Sequence, residues 1–84
     1  MKIETINEFV KVGAVFKGGE DIRPVWFVWE GRKYLVKEVN YFWLEKSGKE
    51  KLFCFSVTDG VNNYELAFHS EKTVWKLTKV FDRA

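Results

Sequence analysis

Cysteine, proline and histidine each occur once in this 84-residue chain, as Cys54, Pro24 and His69. One cysteine excludes an internal disulfide and points to a reducing compartment, so a cytoplasmic protein is expected. A lone histidine and a lone cysteine give no ligand set with zinc-type spacing, and no metal or cofactor is expected. Long apolar runs are missing as well. None approaches the roughly 20 residues of a membrane-crossing helix, and Met1 to Ile6 lacks the apolar core of a signal peptide. Charge of one sign is not in large excess: fourteen Lys and Arg oppose twelve Asp and Glu, a formal +2. Without repeats, low-complexity tracts or linkers, the chain reads as one domain over residues 1–84.

Aromatic residues are plentiful instead, with eight Phe, four Trp and three Tyr. Each ring buries about 150–250 Å², enough to replace the disulfides or metal that many small folds need. They recur with period two along most of the chain, the spacing of half-buried strands. Val10, Val12, Ala14 and Phe16 alternate with Phe9, Lys11, Gly13 and Val15 in a first strand that Gly18-Gly19 ends. A second strand is expected after Pro24, since a residue without an N–H belongs at a strand's start or on an edge. Val25 to Glu30 and Lys33 to Lys37 read as a hairpin around Gly31-Arg32, a type II′ turn with Gly first. That register opposes Glu30 to Lys33, Trp29 to Tyr34 and Phe27 to Val36, with Val28 facing Leu35 and Trp26 facing Lys37.

The third strand is expected to continue through a bulge near Lys37-Glu38, bringing Val39, Tyr41 and Trp43 onto the face of Tyr34 and Val36. A loop of Ser47-Gly48-Lys49 then opposes Lys46 to Glu50, Glu45 to Lys51 and Trp43 to Phe53, avoiding like-charge pairs. The turn-rich stretch Thr58 to Asn63 sets Val57 against Tyr64, Phe55 against Leu66 and Phe53 against Phe68. After a turn at His69 to Lys72, a last strand over Thr73 to Phe81 places either Trp75 or Leu77 opposite Leu66. The expected fold class is therefore all-β, a five- or six-stranded antiparallel meander, strongly curled or closed into a small barrel. Phe27, Trp29, Tyr34, Val36, Val39, Tyr41, Trp43, Phe53, Phe55, Val57, Tyr64, Leu66, Phe68, Trp75 and Leu77 share its core face. Trp26, Val28, Leu35, Phe42, Leu44 and Leu52 fall on the other face, to be covered by curling or by a second copy of the chain.

Pro24, Phe27, Trp29, Gly31, Arg32, Tyr34 and Val36 spell P-x-x-F-x-W-x-G-R-x-Y-x-V. Tyr64 with Leu66 adds Y-x-L, and Trp75, Leu77, Val80 and Asp82 add W-x-L-x-x-V-x-D. In these motifs, from about Phe9 to Asp82, the chain resembles a group of short, uncharacterised bacterial domains. Some of those domains are tails of Y-family, lesion-bypass-type DNA polymerases, and this chain is less basic than they are. The resemblance implies a bacterial accessory role near DNA, with no catalytic residues to carry over.

Catalytic chemistry finds little footing in the residues themselves. A nucleophile needs an oriented base beside it, and His69 lies in a predicted turn while Cys54 lies mid-strand between Phe53 and Phe55. Cys54 reads as a small buried hydrophobe and His69 as a solvated turn residue. Asp21, Asp59 and Asp82 fall at turns or ends, while Glu30, Glu45, Glu50 and Glu65 read as cross-strand charge partners. Gly18-Gly19 and Gly60 lack the strand-to-helix setting of a phosphate loop. The expectation is a domain that is not an enzyme.

Two binding roles remain. In the first, Arg23, Trp26, Arg32, Lys33 and Lys37 hold a nucleic acid, the ring stacking a base and the cations meeting phosphates. Lys76, Lys79 and Phe42 are further candidates for that surface, and the expected ligand is a single strand, or a DNA-processing protein alongside it. In the second, Trp26, Phe42 and Leu44 with an edge strand form a protein-interaction or homodimerisation surface. Each group also has a plainer reading, as solubilising edge lysines or as apolar residues buried by curvature.

Overall fold

The computed structural model describes residues 2–19 and 21–82, and among these every regular element is a β-strand. The strands are β1 (Lys2–Phe16), β2 (Ile22–Trp29), β3 (Arg32–Leu35), β4 (Glu38–Ser47), β5 (Glu50–Thr58), β6 (Asn63–His69) and β7 (Val74–Asp82). They form one antiparallel sheet in the order β3-β2-β1-β7-β6-β5-β4. The strand count is seven, not five or six. The long third strand expected to run on through a bulge is instead divided at Val36-Lys37.

That division shapes the molecule. Leu35 ends the strand at one edge of the sheet and Glu38 begins the strand at the other. Three residue steps span at most about 11 Å, so the two edges must come close together. Val36 N–H still donates to Val25 O on β2, and Lys37 N–H already donates to Thr58 O on β5. A flat seven-stranded sheet would be only about 10 Å thick, whereas the shortest dimension here is 24 Å. The sheet is curled but not closed.

Bulges produce the curl. Gly13 pairs with Trp26 and Ala14 with Pro24, leaving Val25 as the extra residue on β2. Pro24, lacking an N–H, sits fully buried at this break. The strand accordingly begins before Pro24, at Ile22, rather than after it. β1 likewise begins earlier than expected, at Lys2. It pairs with β7 through Val10 and with β2 from Lys11 onward. On β7 the extra residue is Thr78, whose hydroxyl donates to the Glu65 carbonyl at 3.1 Å and to Glu65 Oε2 at 2.7 Å.

Inside the curl lie Phe27, Phe53, Phe55, Val57, Tyr64, Leu66, Trp75, Leu77 and Val80. Tyr64 stands edge-on to Phe27 at 5.0 Å, and Phe27 stacks on Tyr34 at 5.1 Å. The β5–β6 register is as expected, including Phe55 opposite Leu66, and the ambiguity on β7 is resolved with Leu77 opposite Leu66.

Two hairpins differ from expectation. The β2–β3 turn is Glu30-Gly31, not Gly31-Arg32, and it opposes Phe27 to Tyr34 and Trp26 to Leu35. Glu30 and Gly31 both take positive φ, 52° and 76°, as a type I′ turn requires. The shift is two residues in register, so the inward set is preserved although Glu30 no longer faces Lys33, nor Trp26 Lys37.

The second difference exchanges the two faces of a strand. The β4–β5 loop is Gly48-Lys49, opposing Ser47 to Glu50, Lys46 to Lys51, Trp43 to Cys54 and Phe42 to Phe55. Phe42 and Leu44 therefore point inward and Tyr41 and Trp43 outward, opposite to the expected assignment. Phe42 reaches the rings of Phe55 at 5.1 Å and Phe53 at 6.3 Å. Tyr and Trp carry polar atoms that need partners, and outward placement lets Trp43 Nε1 donate to Glu45 Oε1 at 3.0 Å. Asn40 is the bulged residue that keeps Val39 opposite Val57. Because β4 is an edge strand, Val39, Phe42 and Leu44 stay 36–47 % exposed despite facing inward.

Candidate nucleic-acid interface

The site is the outward face of β3, β2, β1 and β7. Strand alternation assigns Phe9, Lys11, Gly13 and Val15 of β1 to this face, with Arg23, Trp26 and Val28 of β2. Lys33 and Leu35 of β3 and Val74, Lys76, Lys79 and Phe81 of β7 complete it. These positions carry five cations and no carboxylate. The carboxylates Glu45, Glu50 and Glu65 stand instead on β4, β5 and β6.

Trp26 is the centre of the basic face. Lys33 Nζ stands 4.8 Å from its ring centroid and Lys11 Nζ 6.0 Å. Both lysines are exposed, and they flank Val28 in one row across the three strands. Beneath the indole lies Gly13, where an added β-carbon would stand 2.1 Å from Trp26 Cε2. No side chain other than hydrogen fits there, which explains a glycine inside a strand. A second aromatic cation pair lies further along β1, where Lys76 Nζ sits 5.3 Å from the ring of Phe9. Phe9 is 66 % exposed.

Of the residues proposed from sequence, Trp26, Lys33, Arg23, Lys76 and Lys79 share this face. Lys79 is directly opposite Glu65. Arg32 lies apart, its guanidinium 5.9 Å from the ring of Tyr34 on the inward side. Lys37 occupies the corner between β3 and β4, near the backbone of Gly60. Arg23 and Lys37 both line a cleft of about 730 Å³ between the start of β2 and β4, with Asp21, Glu38 and Phe42. The sequence reading missed Lys11, Phe9 and Gly13. An isolated glycine in an alternating strand was their only signal, since it marks a close approach.

Other reactive groups are quiet. Cys54 is buried, and its thiol is pushed up to about 12, first by burial and then by Glu45 and Glu65. His69 is not a solvated turn residue: it ends β6 half-buried, with Nδ1 3.3 Å from Glu50 Oε1. Asp59 organises its own loop, accepting from the Val61 and Asn62 N–H groups at 2.8 Å each and from the Tyr64 hydroxyl at 2.9 Å. Burial acts to raise the Asp59 carboxyl, but these hydrogen bonds together hold it below its ordinary value. Among the described residues, no helix is long and apolar enough to cross a membrane. No family model, curated protein or solved structure matches the chain.

Proposed function

We propose that this is a non-catalytic accessory domain that binds nucleic acid weakly on the outward face of β3, β2, β1 and β7. The observation that carries the reading is Trp26 between Lys11 and Lys33 on a face without carboxylates. An accessory role beside a DNA-processing protein, implied by the P-x-x-F-x-W motif, accords with it. Exposed cation–π contacts contribute about 0.5–1 kcal/mol, whereas a base stacked on an aromatic ring contributes about 1–3 kcal/mol. A base can therefore displace an ammonium from the ring and leave it free to meet a phosphate. Three or four phosphate contacts on a single strand give a log–log salt slope of roughly −2 to −3, with dissociation constants in the micromolar range or weaker. Titration of a labelled oligonucleotide across a salt series tests this. Binding that weakens with that slope supports the proposal, and no binding at low salt ends it.

A second reading rests on β4. Its ten residues form an edge with unpaired backbone groups, and Tyr41, Phe42 and Leu44 are 73, 47 and 43 % exposed. Long apolar edges attract another strand, and the β4 of a second copy would supply matching aromatics. Sedimentation at increasing concentration tests such a homodimer. A monomer throughout the range rules it out.

A further inference from the structure

Resting on the nucleic-acid reading, we infer that the ligand is an unpaired strand held at two stacking positions, Phe9 and Trp26, with Lys11 between them. Phe9, Lys11 and Gly13 are successive outward residues of β1, and Trp26 lies over Gly13. Four residue steps of about 3.3 Å separate Phe9 from Gly13, a distance of about 13 Å. An extended single strand advances about 7 Å per nucleotide, twice the 3.4 Å step of stacked DNA. The two rings therefore match bases two nucleotides apart, and Lys11 falls at the level of the nucleotide between them.

Each ring has its own ammonium, Lys76 Nζ at 5.3 Å from Phe9 and Lys33 Nζ at 4.8 Å from Trp26. A base on either ring thus brings its phosphate within reach of a cation. Such stacking requires a free base face, which a duplex does not offer because its bases cover one another. The chemistry selects single strands and shows no preference among bases, since no hydrogen-bonding side chain other than lysine projects between the two rings.

The test compares four probes on the intact chain at low salt: a thymidine oligonucleotide, the same strand made fully abasic, a duplex of equal length, and heparin. The thymidine strand should bind about tenfold more tightly than the abasic strand or the duplex. Phe9→Ala, at an exposed position, should reduce thymidine-strand affinity about tenfold and leave heparin binding unchanged. Among abasic strands carrying only two thymidines, affinity should peak with a single abasic nucleotide between them. Equal binding of thymidine and abasic strands, or an unaltered Phe9→Ala variant, overturns the two-position site while the electrostatic reading stands. Failure of every probe to bind removes both.

Discussion

The indole of Trp26 lies so close over Gly13 that a β-carbon at that position would overlap it, 2.1 Å from Cε2. Gly13→Ala should therefore eject the ring from its seat, at about 1–3 kcal/mol, the usual cost of overpacking. In a Trp26→Ala background the same substitution should cost much less, because the obstruction is gone. Urea denaturation of the two single variants and the double variant measures this coupling. An equal cost of Gly13→Ala in both backgrounds would show that the ring does not depend on the glycine.

The inward face should be far less tolerant. Phe27 and Phe55 are 0 and 2 % exposed, so replacing either with Ala should cost about 3–5 kcal/mol. Small domains have total stabilities near 5 kcal/mol, and either variant could be unfolded at room temperature. Tyr41→Ala, at a residue 73 % exposed, should change stability by less than about 0.5 kcal/mol. Thermal melts of the three proteins check the assignment of faces on β4 and β5.

Acid should loosen the loop between β5 and β6. The Asp59 carboxyl sits below its ordinary value of 3.8 when the chain is folded. Its contribution to stability is therefore complete above about pH 4 and is lost as pH falls through the lower folded value. Asp59→Ala should cost about 1–3 kcal/mol at pH 7, since three donors lose their acceptor. Denaturation at pH 7 and pH 3 should show the variant losing less between the two than the parent. An identical loss in both would remove Asp59 from the acid response.

Cys54 should resist alkylation in the folded chain. With the thiol pushed up to about 12 and its side chain buried, almost no thiolate is present at pH 8. Labelling by iodoacetamide should become fast only in denaturant. Rapid labelling of the native protein would show that β5 opens or that the thiol is exposed.

The alternation of Val57, Phe55 and Phe53 with smaller or polar residues was enough to determine an antiparallel sheet and the β5–β6 register, because side-chain direction is local and period two leaves one choice of face. The Asp59 loop was legible from its density of turn residues, whereas Pro24, expected to precede the strand, sits at a bulge inside it. Which side chains of β4 face inward was not legible. Phe42, Trp43, Leu44 and Tyr41 are all apolar enough for either face, and only the curl that brings Phe42 onto Phe55, with the bulge at Asn40, decides which go in. The division at Val36-Lys37 was equally hidden, since a strand crossing to the far edge looks locally like one that continues. The grouping of Lys11 with Trp26 and of Lys76 with Phe9 joins residues 15 and 67 positions apart. Such pairs exist only through strand order, a property of the whole sheet that no local pattern carries.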